Sequence, residues 1–118
     1  MYQFFYNCSG LQTVNISNVS SSVGVNCYQM FHNCTSLVNV DIANMGFTAN
    51  NVSYMFAYCN KLSNASIDNI INWLISNCNT TTKVLSNTSS SSPFYGTPFS
   101  NTYYKDRIAD LQNAGWTV

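Results

Sequence analysis

The sequence predicts an α/β repeat fold. It is a short solenoid in which each repeat adds a short strand and a helical turn, closed by a C-terminal helical cap. Two observations and one physical constraint carry that prediction. Segments 2–19, 28–45 and 53–70 align without gaps, offset by 26 and then 25 residues. Five positions match in all three copies: Phe5, Phe31 and Phe56; Cys8, Cys34 and Cys59; Leu11, Leu37 and Leu62; Ile16, Ile42 and Ile67; and Asn18, Asn44 and Asn69. A unit this short cannot bury its apolar face alone, whereas stacked units share a core of like residues. After residue 65 the period breaks and apolar spacing becomes helical.

The elements follow in chain order. Leu11, Val14 and Ile16 read as a short extended segment, as do Leu37, Val40 and Ile42. The Phe and Cys of each copy fall one helical turn earlier, on the opposite wall. Cys is small and often fully buried, which suits a tight inward position. The Asn ladder suits turn capping, because a carboxamide satisfies backbone groups that leave a strand. Residues 1–65 therefore form the repeat region and 66–118 a capping region. Ser66 is the expected N-cap of a helix to about Asn77, carried by Ile67, Ile70, Ile71, Leu74 and Ile75. A short strand is expected at 82–86, a flexible loop at 86–92, and an aromatic turn around Phe94, Tyr95 and Phe99. Ser100 or Asn101 opens a last helix with Tyr104, Ile108 and Leu111 inward and Gly115 as its cap. Residues 116–118 read as a final short strand.

A period of roughly 20–29 residues with spaced Leu and Ile is the pattern of leucine-rich solenoids. Residues Gln29 to Cys34, through Leu37 and Ile42, and Tyr54 to Cys59, through Leu62, resemble the BspA-like leucine-rich repeat family in its M-x-x-M-F-x-x-C-x-x-L variant. The first copy departs, with Phe4 where the others have Met. The likeness covers about residues 1–70. The ending from Ile108 to Thr117 also resembles the closing segment of gut-bacterial and phage proteins with such repeats. The resemblance implies an extracellular protein, on a bacterial cell surface or a phage virion, that acts by binding and has no catalytic residues in the repeat.

Composition narrows the function independently. Four Lys+Arg balance four Asp, Glu is absent, and charged residues make up 7%. An ordinary domain carries about 25%. The chain holds 18 Asn, 16 Ser and 10 Thr, so amides and hydroxyls replace charge as solubilising groups. Four scattered cations supply no footprint for nucleic acid. No apolar run approaches the roughly 20 residues that span a bilayer, so no membrane insertion is expected. The first ten residues have neither a basic nor an apolar signal-peptide region. Met1 enters in the middle of a repeat, with Phe4 and Phe5 immediately exposed and no polar cap before them, which predicts that preceding repeats or another subunit cover that end.

Candidate chemistry is sparse. His32 aligns with Tyr6 and Ala57, as a variable surface site would, and has no placed partner for general-base work. Cys27, His32 and Cys34 lack zinc-ligand spacing, and an odd count of five Cys argues for buried thiols. A Cys59–Cys78 disulfide is left open by the sequence. Asp106 and Asp110 interleave with Lys105 and Arg107 as a solvated helix face does. Eight Asn-x-Ser/Thr triplets follow from composition rather than from glycosylation. No catalytic residue, metal or cofactor is expected. The surface clue is aromatic: 17 rings in 118 residues, among them Tyr2, Tyr28, Tyr54 and Tyr58 beside amides, with Phe94 and Tyr95 in the later turn. Tyr beside Asn and Ser makes an uncharged contact surface of low conformational entropy. The expected function is non-enzymatic recognition or adhesion within a larger surface or virion protein, with a cell-surface glycan or protein as partner. The alternative is a structural repeat scaffold or spacer with no ligand of its own.

Overall fold

Two left-handed residues shape the start of each copy. The computed structural model describes residues 1–97 and 107–118. Gln3 and Asn7, Gln29 and Asn33, and Tyr54 and Tyr58 all have φ between 52° and 62°. The stretch between them is a flattened turn rather than the expected helical turn. Alternate N–H groups then leave it in one direction. Gln3, Phe5 and Asn7 donate to the carbonyls of Tyr28, Met30 and His32 at 3.0, 2.8 and 2.9 Å. Gln29, Phe31 and Asn33 donate in the same way to Ser53, Met55 and Ala57. Tyr54, Phe56 and Tyr58 donate to Ser92, Pro93 and Tyr95, so the later turn receives the third copy.

Six short strands follow: β1 (Thr13–Asn15), β2 (Val19–Ser20), β3 (Val25–Asn26), β4 (Asn39–Asp41), β5 (Met45–Gly46) and β6 (Ala49–Asn51). They pair in parallel as β1–β4, β2–β5 and β3–β6, with Val14 opposite Val40 and Val19 opposite Met45. Each pair stops at two strands.

Where a third strand would join β4, the chain is helical: α1 (Asn64–Asn77) packs there instead. Its side chains do what strand backbone would have done. Ser66 Oγ donates to Val38 O and accepts from Val40 N–H, and Asn69 Nδ2 donates to Val40 O. Trp73 Nε1 donates to Met45 O and Asn77 Nδ2 to Phe47 O. Residues 66, 69, 73 and 77 lie at helical spacing on one face, so one stripe seals the open edges of β4 and β5 and the link to β6.

The expected solenoid is therefore corrected. The molecule is a small compact globule, 35 × 34 × 23 Å, of short parallel strand pairs with two helices among its described residues. Strands of two or three residues in isolated pairs make no continuous sheet; α1 ends the pairing at β4 and β5, and β6 continues only by a single parallel bridge, Ala49 with Cys78. The boundary expected at residue 65 falls inside the first turn of α1. One cluster of buried side chains runs from Val14 through Phe31, Phe56 and Ile70 to Leu111 and Trp116.

Local details in the last third also differ from expectation. The N-cap of α1 is Ser63, whose hydroxyl accepts from Ser66 N–H at 3.1 Å; Ser66 itself is buried inside the helix. The strand expected at 82–86 and the terminal strand reduce to one parallel bridge, Val84 with Thr117. The segment expected as a flexible loop is tied down through Ser92. That residue is buried, and its hydroxyl accepts from the N–H groups of Ser86 and Phe94. The last helix, α2 (Ile108–Asn113), ends at Gly115 as expected. Gly115, at φ 91°, donates to Gln112 O, and Trp116 donates to Leu111 O, which closes the helix as a Schellman motif. Arg107 ties α2 to α1 through the Asp68 carboxylate. The expected roles of Phe99, Ser100, Asn101, Tyr104, Lys105 and Asp106 fall on residues 98–106, outside the described residues.

Candidate functional site

The residues before each Cys build an exposed aromatic face. Tyr2 stacks on Tyr28 with centroids 5.3 Å apart, and Tyr28 meets Tyr54 edge-on at 5.8 Å. Tyr6 stacks on His32 at 5.0 Å, and His32 meets Tyr58 at 5.5 Å. Tyr95 joins both rows, 5.1 Å from Tyr54 and 5.8 Å from Tyr58. Two amide rungs link the first copy to the second: Gln3 Nε2 donates to Gln29 Oε1 at 2.6 Å, and Asn33 Nδ2 to Asn7 Oδ1 at 2.9 Å. Tyr2, Tyr6 and Tyr58 are the most open rings of the face; Phe4, equivalent to the buried Met30 and Met55, packs edge-on against Phe5 instead.

The left-handed backbone of every copy falls on tyrosine in the third. Asn takes the left-handed region readily; Tyr does not. In the first two copies the left-handed positions are Gln and Asn, but in the third they are Tyr54 and Tyr58. Gly96 makes room for Tyr58: a Cβ there would lie 2.5 Å from a Tyr58 ring carbon. Strain held in place by packing is a mark of positions kept for their side chains.

The electrostatics are quiet. Desolvation lowers the His32 pKa, and its Nδ1 is buried without a partner among the described residues. Desolvation raises the Tyr58 hydroxyl, with Tyr95 adding to the shift. Burial pushes the Cys27 and Cys59 thiols up to about 12 and Cys34 to about 11, which leaves them inert as nucleophiles or ligands at neutral pH. All five cysteines are free, so Cys59 and Cys78 are not bridged. Among the described residues, no three His, Cys or Asp side chains converge on a metal position. No described helix is long and apolar enough to cross a membrane.

The expected residues separate into a face and a core. Tyr2, Tyr28, Tyr54, Tyr58 and Tyr95 come together on the face. Phe94 does not: it is fully buried and stacks on Phe56, because the turn that carries it covers the third copy. Phe5, Phe31 and Phe56 stack in a column at 5.1 and 5.0 Å. Cys34 Sγ donates to Phe5 O and Cys59 Sγ to Phe31 O, each at 3.1 Å, while Cys8 is half-buried. Leu37 is fully buried between the half-buried Leu11 and Leu62. The Asn positions diverge: Asn18 is left-handed, Asn44 is exposed, and Asn69 sits within α1. Sequence reasoning misses the amide rungs and places His32 outside the face. The rungs carry the same 26-residue offset as the ladder, so a search for polar as well as apolar matches finds them.

No family model, no curated protein and no solved structure matches this chain.

Proposed function

We propose that the protein is a non-enzymatic recognition module that binds a cell-surface glycan or protein through the tyrosine face, as part of a bacterial surface or phage virion protein. The observation that carries this reading is the placement of Tyr54 and Tyr58 in left-handed backbone. Asn takes the position of Tyr58 in the other copies with less strain, and Gln, as strained as Tyr54, takes the other, so the fold alone gives no reason for tyrosine at either. A rigid aromatic surface crossed by amides and free of charge fits ligands recognised by ring stacking and neutral hydrogen bonds. The likeness of residues 1–70 to the BspA-like surface-protein family supports the extracellular setting.

The test is binding of the labelled chain to intact Gram-positive cells, before and after removal of wall carbohydrate. Binding that is lost on stripping identifies a glycan partner, and binding that survives identifies a protein. The decisive variant is Tyr54→Gln with Tyr58→Asn, which installs residues the same turns already carry in the second copy. We expect a folded protein that no longer binds. Undiminished binding by that variant, or no binding by the unaltered chain, overturns the reading and favours a spacer without a ligand.

A further inference from the structure

A second feature lies on the strands rather than on the turns. Val14 and Val40 point inward in the centres of β1 and β4, so the residues on either side of each point out. Parallel pairing sets Thr13 beside Asn39 and Asn15 beside Asp41. The result is a grid of one hydroxyl, two carboxamides and one carboxylate, about 4.8 Å apart across the pair and about 6.6 Å along it. The first turns of α1 form a wall beside this grid and close a groove of about 190 Å³. Ala65 and Asn69 belong to that wall.

The groove is poised for a ligand of particular chemistry. One carboxylate oxygen of Asp41 accepts from Ala43 N–H at 3.3 Å, which orients the group and leaves the other oxygen available. Asn69 is held through its Nδ2 and keeps its oxygen as an acceptor. The side chains of Thr13, Asn15 and Asn39 make no hydrogen bond among the described residues. No Lys or Arg lines the groove and the Asp41 carboxylate repels anions, so phosphates and carboxylates are disfavoured there. A single carboxylate falls short of the charged oxygen shell that holds calcium. The volume is below the roughly 300–1,000 Å³ of pockets for drug-sized ligands. What fits is a small neutral ring that presents hydroxyls as both donors and acceptors, with one C–H face against the Ala65 methyl.

We propose that this groove binds one uncharged pyranose ring of a glycan. Asp41 and the Asn69 oxygen accept from ring hydroxyls; Asn15 and Asn39 donate and accept. The inference goes beyond the tyrosine face and stands whether or not that face binds. Without an aromatic platform, one small ring binds with a Kd on the order of 1 mM.

The test is an amide NMR titration of the ¹⁵N-labelled 118-residue chain with methyl β-glucopyranoside and, separately, methyl N-acetyl-β-glucosaminide. Saturable shifts at residues 13–15, 39–41 and 63–69 with either sugar support the site. Asp41→Asn keeps the acceptor for Ala43 N–H and hence the turn, so it isolates the lost charge. We expect it to weaken binding about tenfold, as loss of a charge-assisted hydrogen bond does. Absent or non-saturating shifts overturn the proposal. So do shifts centred on Tyr28 and Tyr54, or affinity unchanged in Asp41→Asn. Calcium alone saturating the same amides overturns it in favour of a cation. The double tyrosine variant leaves the groove intact, so loss of cell binding there and loss of sugar binding here are independent results.

Discussion

The first and second copies carry the same ladder residues in different surroundings. Phe5 and Phe31 stack on each other, yet Phe31 is fully buried and Phe5 only partly so. The same holds for Leu11 against Leu37 and Ile16 against Ile42. The second copy has a neighbour on both sides, the first on one only. Equivalent residues therefore contribute unequally, and their contribution follows from the packing around them rather than from their identity.

The largest expected effect tests that contrast directly. Phe31→Ala should lower stability in urea unfolding by about 3–5 kcal/mol, the range for a large aromatic removed from a packed core. Phe5→Ala should cost less than half as much. Equal losses would break the comparison.

A second contrast is between pairing by backbone and sealing by side chains. Ser66→Ala leaves Val40 N–H without its partner and removes one of two donors to Val38 O, Ser63 N–H remaining, so we expect a loss of about 1–3 kcal/mol. Asn44→Ala, at an exposed ladder position, should stay within about 0.5 kcal/mol of the parent. If the two substitutions cost the same, α1 does not seal the strand edge as described.

Next comes pH. The folded pKa of His32 is lowered, so below the ordinary value of 6.5 the unfolded chain binds the proton more readily than the folded one. Stability should be complete above pH 6.5 and fall as acid is added below it. Melting temperatures between pH 7.5 and 5 would show this, and His32→Tyr, which copies the first repeat, should flatten that part of the curve. Tyr6, Tyr54 and Tyr58 flank the ring and offer no carboxylate to oppose the trend.

The smallest effect is kinetic. At pH 8 an alkylating reagent should modify the half-buried Cys8 first, while Cys27, Cys34 and Cys59 react only as the protein opens. Mass spectrometry of partly labelled protein orders the sites. Early labelling of Cys34 would show that the second copy is no better covered than the first.

Much of the core is legible in the order of residues. Phe, Cys and Leu recur because like residues pack on like, and the spacing of Ile67, Ile70, Ile71 and Leu74 announces a helix wherever it lies. The turns are less legible. Asn7 and Asn33 hint at left-handed backbone, but Tyr54 and Tyr58 in the same conformation run against local preference and are held by hydrogen bonds to Ser92 and Tyr95. The groove is hidden for a similar reason: Thr13, Asn15, Asn39 and Asp41 lie about 26 residues apart in pairs and gain meaning only in parallel register.

Which residues repeat, which of them are apolar, where the long helix runs and where Gly115 ends the last one are all written in the chain itself. These depend on short-range spacing and on the burial preference of each side chain. Three-dimensional packing settles the rest. It stops the strands in pairs and puts a helix with Ser66, Asn69, Trp73 and Asn77 in the place of a third strand. It also closes the chain into a globule rather than a solenoid. Those outcomes depend on which backbone groups find partners across some 26 to 40 residues of chain, and no local pattern records that.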